Sequence, residues 1–333
     1  MFSVSDYTSH KLIYSLLEKK ILLRSTTKKF SVKTNQSIKD FSYGDIFIPV
    51  DYQNYGREEL FSILSKEAKE HGIDLYAAAT GLTPTGVDLG SRSLLPVEKP
   101  KVLMLAERGM STASSGEIWH LLDYKNEIPV TIFESYYFSK INIFDYTTII
   151  LPDGTPKLKK ADVERLSLWV KEGGVLISLK KSAKWLKKNK LINLDYKASP
   201  KLDKDLDYAY AERGMLKGAL GVGGSTFMAK IDNSHPLAYG YIENQIPIFK
   251  SSSLGTITTN GHASPLTLTQ NPLICGYLHE KTENVLSGSD QLSIAKKGKG
   301  VIISFHFNPN FRGYWLGTDK IFLNAIFYGS TIK

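Results

Sequence analysis

The sequence predicts an α/β protein: a small N-terminal α/β domain followed by a doubly wound, flavodoxin-like domain on a mostly parallel sheet. Three observations carry this. From residue 101 onward, "KVLMLAE", "IPVTIFES", "YTTIILPDG", "GVLISL" and "GKGVIISFHF" are apolar runs of strand length without polar alternation, which suits strands covered on both faces. Helical patterns ("SSGEIWHLLDYK", "KKADVERLSLWVKEGG") separate them, and right-handed crossovers then stack helices on both sides. Residues 81–100 ("GLTPTGVDLGSRSLLPVEKP") are rich in Gly, Pro and Ser and follow neither period, so they read as a linker between a domain at 1–80 and one at 101–333.

In chain order, residues 6–20 place Leu12, Ile13, Leu16 and Leu17 on one helical stripe. "ILLRSTTKKFSV" and "YGDIFIPV" read as strands, the latter ended by Pro49. "REELFSILSKEAKEHG" is an amphipathic helix closed by Gly72, and "IDLYAAAT" is expected as a further strand. After the parallel layer, residues 201–295 are richer in Gly, Ser, Thr and Asn, with short strand-like pieces such as "GTITTN" and "LTLTQNPLICGYL", and are expected to form a β-rich extension. The chain closes on the helix "TDKIFLNAIFYG", with Ile321, Phe322, Ala325 and Ile326 on one side.

Composition excludes several classes. No run of about 18 apolar residues exists, so no membrane-spanning helix is expected. The first twenty residues lack a cationic flank before an apolar core, so no signal peptide is read there. One cysteine, Cys275, excludes an internal disulfide and a cysteine zinc site; its apolar neighbours suggest a buried thiol. The net charge of +9 comes from lysine patches, notably "KKSAKWLKKNK". Lys181, Lys184 and Lys188 recur at helical spacing with Ala183, Trp185 and Leu186 between them, which describes a solvated helix face. Nucleic acid is not an expected partner, because no aromatic platform interleaves the lysines.

None of the seven histidines has a Glu three residues later, so a His/Glu zinc pair is not predicted; His120 stands in a periodic helix and is expected to be partly buried there. "GALGVGGSTF" places Gly218, Gly221 and Gly223 at the wrong spacing for a dinucleotide fingerprint, and no apolar strand precedes it. A doubly wound layer holds ligands outside the carboxyl ends of its strands. Glu107 and Ser111 follow the first of these strands, Ser114 and Ser115 open the next helix, and Asp153 ends the third strand. These side chains suit caps and turns as well as a pocket.

The stretch "GGVLISLKKSAKWL" runs from strand to helix with almost no loop, the joint at which several enzyme families present a nucleophile. A class I glutamine amidotransferase places Cys there, activated by a His beside a Glu. Here the joint offers Lys180, Lys181 and Ser182, and His235-Pro236 is followed by Leu237 where the orienting Glu would stand. Ser182 and His235 form the alternative, hydrolase or residual amidotransferase, reading.

"SSGEIWHLLDYKNEIPVT", "IILPDG", "LWVKEGGVLISLKKSAKWL", "VDLGS" and the closing "NPNFRGYWLGTDKIFLNAIFYG" resemble the C-terminal half of bacterial M14-type zinc carboxypeptidase-like proteins. In that family a peptidase domain precedes a small α/β segment and a glutamine amidotransferase-like domain. The resemblance implies a non-catalytic accessory region, partnered by the upstream peptidase domain or its product, in a periplasmic or secreted parent protein. Zinc would belong to the missing peptidase domain, and this chain by itself would not hydrolyse peptide bonds. Any carboxypeptidase activity ascribed to it would be inherited from full-length relatives. The motif around Arg312 is expected to be mainly architectural, Arg312 satisfying carbonyls or a carboxylate while Tyr314 and Trp315 pack the corner; gripping an anionic ligand is its alternative role. The expected pocket thus comprises Glu107, Ser111, Ser114, Ser115, Asp153, Ser182 and Arg312.

Overall fold

A computed structural model describes residues 1–34, 37–201, 209–257 and 264–333. The first part runs α1 (Ser9–Glu18), β1 (Leu23–Thr26), β2 (Phe30–Lys33), β3 (Ile38–Phe41), β4 (Ile46–Phe47), α2 (Arg57–His71) and β5 (Leu94–Val97). The stripe Leu12, Ile13, Leu16, Leu17 is buried. Gly72 closes α2 in the left-handed region (φ 66°), where a residue without a β-carbon is unstrained. Residues 73–80 are not the expected strand and make only one bridge, Ala78 to Thr34. β1 is flanked on both sides by β4 and β5, so this segment finds no free edge there. Within the stretch read as linker, Leu94–Val97 forms β5 and pairs along the whole of β1. Four residues containing Pro96 are too short and irregular for a period to register.

The second part carries β6 (Val102–Ala106), α3 (Thr112–Trp119), β7 (Val130–Glu134), β8 (Thr148–Leu151), α4 (Lys160–Glu172), β9 (Val175–Leu179) and α5 (Lys181–Lys188). It continues with β10 (Asp195–Tyr196), α6 (Arg213–Ala219), β11 (Ser225–Ile231), β12 (Gln245–Lys250), β13 (Thr256–Ile257), β14 (Leu266–Cys275), α7 (Glu280–Leu286), β15 (Leu292–Lys297), β16 (Gly300–Phe305) and α8 (Asp319–Tyr328).

Six strands form the central sheet in the order β15-β16-β9-β8-β6-β7, all parallel except β15 at its edge. Taken in chain order, the five parallel strands lie 2-1-3-4-5, the flavodoxin-like winding, and the strand order reverses between β6 and β8. The unbroken apolar runs are explained by burial on both faces. Val102, Met104, Ile150, Ile177 and Ile303 pack with α3 and α8, whereas Leu103, Leu105, Ile149, Leu176 and Ile302 pack with α4 and α5. The first of these cores continues into Leu12, Ile13 and Leu16 of α1, so the N-terminal elements and the sheet share it. α8 is buried on more than the expected side, at Asp319 and at every residue from Ile321 to Tyr328, because it lies between the sheet and the 236–238 turn.

The β-rich extension contains a three-stranded sheet, β12-β11-β14, and its β13 pairs with β10, which lies just before it. The end of "GTITTN" and His262 lie outside the described residues. Cys275, expected buried, is exposed: it ends β14 beyond a register shift, while Leu266 and Leu268 of the same strand take the inward positions. Among the described residues no helix is long and apolar enough to cross a membrane.

Candidate functional site

At the carboxyl ends of the parallel strands, three loops are tied together. The loop after β6 turns through positive φ at Glu107, Arg108 and Gly109 (54°, 27° and 105°). It is zipped to the loop after β8 by a Met110–Gly154 bridge, with Ser111 N donating to Asp153 O (2.7 Å) and Thr155 N to Gly109 O (2.7 Å). A β-carbon on Gly109 would meet Thr155 O at 2.3 Å, and one on Gly154 would meet Gly109 O at 2.4 Å, so this close approach requires glycine. Ser111 caps α3 by accepting from Ser114 N, Ser114 Oγ accepts from Asp153 N (3.1 Å), and Ser115 Oγ donates to Ser111 O (3.1 Å). The structure therefore gathers Ser111, Ser114, Ser115 and Asp153 into one knot, with these hydrogen bonds directed at the backbone. Glu107 stands exposed on its rim.

The third loop is the joint between β9 and α5. Lys180 alone makes the turn, at φ 49° and ψ −104°, a conformation that strains any residue with a β-carbon by about 1–3 kcal/mol. Its backbone N donates to Phe305 O (2.7 Å). Its ammonium lies 3.0 Å from Asp153 Oδ2, and Lys181 N donates to Asp153 Oδ1 (3.1 Å). Lys180 thus occupies the elbow itself, the place of a nucleophile, and is held there by the carboxylate that ends β8. Ser182 is fully buried; its hydroxyl donates to Pro152 O and lies 3.2 Å from Gly154 O, which fastens α5 to the β8 loop. His235 accepts from Leu237 N through Nδ1 (3.1 Å), capping the 236–238 turn against α8.

Behind the elbow stands a basic group that sequence reasoning missed. Lys250 is completely buried and its ammonium donates to His306 O (2.9 Å). Burial, then the charge of Lys180, pushes the Lys250 pKa down to about 7. His306 Nε2 lies 2.7 Å from Ser293 Oγ, and burial followed by the charge of Lys250 pushes the imidazole down to about 3, so it stays neutral at physiological pH. Both had a legible signal. Ile246, Ile248 and Lys250 share one face of an alternating strand, and His306 directly follows an apolar strand.

Among the described residues the Arg312 guanidinium bonds to no carbonyl and no carboxylate. That group lies over the Phe311 ring (5.2 Å), while the backbone N–H of Arg312 donates to Glu117 Oε1 (2.7 Å). The packing anchors are Phe311, stacked on Phe249 at 3.8 Å, and Trp315, whereas Tyr314 is 61% exposed. With φ 52° and an exposed side chain, Arg312→Ala is expected to change stability by less than about 0.5 kcal/mol in urea unfolding. His120 is half-buried and stacks on Tyr124 (5.1 Å). Among the described residues no three His, Cys, Asp or Glu side chains converge as a metal set.

A parallel sheet of order 2-1-3-4-5 with helices on both faces defines the domain as flavodoxin-like. No family model matches the chain, and no curated protein does. Its outline is similar to a ThuA-like protein from Parabacteroides merdae (TM-score 0.47, 14% identity, 70% of this chain and 90% of that one). It is also similar to PurLQS from Thermotoga maritima (TM-score 0.43, 12% identity, 68% and 97%) and to a β-galactosidase from Bacillus circulans sp. alkalophilus (TM-score 0.40, 12% identity, 70% and 31%).

Proposed function

We propose that this chain is a non-catalytic module that binds a small anion at the carboxyl ends of its parallel strands. The observation that carries this reading is Lys180 at the elbow, ion-paired to Asp153. An ammonium has no lone pair with which to attack, and with Lys181 and Lys184 beside it the lysine charge exceeds that of Asp153, which favours an anion. The buried, backbone-bonded Ser182 speaks against the hydrolase alternative. Titration calorimetry at low salt with phosphate, sulfate, citrate and glutarate is expected to find at least one ligand, and Lys180→Ala is expected to weaken it about tenfold, the size of one charge-assisted contact. Ammonia release from glutamine above the protein-free rate, abolished by Ser182→Ala, would overturn the reading.

The carboxypeptidase resemblance makes the module an accessory region of an M14-type parent, with the upstream peptidase domain as its partner and zinc confined to that domain. Its support is the closing motif Asn310-Phe311-Arg312-Gly313-Tyr314-Trp315. Reading the coding sequence upstream tests it: a His-x-x-Glu peptidase domain behind a signal peptide is the expected finding.

A further inference from the structure

The cleft beside the elbow has a volume of about 310 Å³, at the small end of ligand pockets. One wall is the lysine side: Lys180, Lys181 and Lys184, with Asp153 between the loops. The lining also includes the β10-β13 pair, in which Tyr196 and Thr256 stand directly opposite each other and share a face. Thr256 is 1% exposed, yet its hydroxyl has no hydrogen-bond partner among the described residues, and the shielded hydroxyl of Tyr196 has none either. A buried polar atom left unpaired is costly; of the atoms in that state among the described residues, these two are the ones on residues that line this cleft, together with three lysines, and they suit something bearing acceptor oxygens. Ser251 and Ser252 add further hydroxyls at the same cleft.

We propose that this cleft holds the head group of a small phosphate monoester, with Tyr196 and Thr256 donating to its oxygens and the lysines balancing its charge. This rests on the anion-binding reading above and gives that ligand a class. Three lysines against one aspartate leave a charge of +2, which matches a phosphate dianion better than a single carboxylate. Its three terminal oxygens use both hydroxyls and the ammonium groups at once, where a carboxylate has only two oxygens. Burial pushes the Tyr196 pKa up to about 12, so its hydroxyl remains a donor across the physiological range. The Lys184 ammonium lies 5.7 Å from the Tyr196 ring centre, so a lysine charge stands beside that ring. The volume admits the head and a short polyol body and is too small for a dinucleotide.

Calorimetry on the full chain at fixed ionic strength, with glycerol phosphate, inorganic phosphate and glutarate as probes, tests this. Glycerol phosphate is expected to bind at least tenfold more tightly than glutarate, and a further gain over inorganic phosphate would identify the ester as the ligand. Thr256→Val and Tyr196→Phe should each weaken glycerol phosphate about fivefold to tenfold. In the ligand-free protein both variants should leave Tm unchanged or raise it, because each removes an unpaired hydroxyl; this separates a binding role from a folding one. Glutarate binding as tightly as the phosphates, sensitive to Lys180→Ala but not to the hydroxyl variants, would overturn the phosphate assignment and leave the anion-binding module standing. Absence of any binding to the wild-type protein would overturn both.

Discussion

Lys250→Met is expected to stabilise the protein by about 2–3 kcal/mol at pH 7. The amine is fully buried, its pKa falls from 10.5 to about 7, and the groups facing it are Lys180 and the neutral His306, with no carboxylate among the causes of its shift. A fall of that size corresponds to roughly 4–5 kcal/mol of unfavourable folded-state charge, and losing the bond to His306 O returns about 1–2 kcal/mol of it. The pH dependence gives the second readout. Between about pH 7 and 10 the unfolded chain holds a proton that the fold releases, so wild-type stability rises with pH, by up to about 1.4 kcal/mol per unit from this group. Lys320, lowered to about 8 by burial, adds the same sign in both proteins. Above about pH 10 the buried tyrosines, raised by burial, reverse it. Urea unfolding at pH 7 and 9 is therefore expected to show a larger gain for wild type than for Lys250→Met. A variant less stable than wild type at pH 7 would contradict the assignment.

Asn324→Leu is expected to lose about 4 kcal/mol. The side chain of Asn324 on α8 is completely buried and satisfies three partners: Oδ1 meets His10 Nε2 (2.8 Å), while Nδ2 donates to Leu237 O (3.0 Å) and Tyr239 O (2.9 Å). It joins α1, α8 and the 236–239 turn. Leucine is close in size, so little cavity forms, but three buried polar groups lose their partners at about 1–3 kcal/mol each before relaxation. His10→Leu, which orphans only Oδ1, should lose less than half as much; equal losses would show that the three-way joint is not the unit. The His10 pKa, held down to about 3 mainly by burial, adds a pH effect. Between about pH 6.5 and 3 the unfolded chain takes up a proton that the folded imidazole refuses, so stability declines as pH falls through that range.

The parallel layer was legible because its cause is local: apolar runs such as "GVLISL" must be covered on both faces, and the helices between them supply the cover. The same reasoning found the strand-to-helix joint and set Ser111, Ser114 and Asp153 at the carboxyl ends of the strands; that they hydrogen-bond into one knot came from the structure. It failed for β5, whose four residues pair with β1 across some seventy positions, and for Cys275, whose apolar neighbours described a strand but not where that strand's register shifts. It also assigned to the Arg312 guanidinium a structural contact that the Arg312 backbone N–H makes.

The sequence by itself determined the doubly wound parallel layer, the place of the elbow and the absence of cysteine from it, since each depends on residue type and spacing within a few turns of chain. Only the tertiary structure decided what surrounds that elbow. Asp153, Lys180, Tyr196, Lys250, Thr256 and His306 belong to separate elements, and burial pushes the Lys250 pKa down to about 7 and leaves the Tyr196 and Thr256 hydroxyls without partners among the described residues. Desolvation and convergence are properties of packed neighbours, and no local pattern carries them.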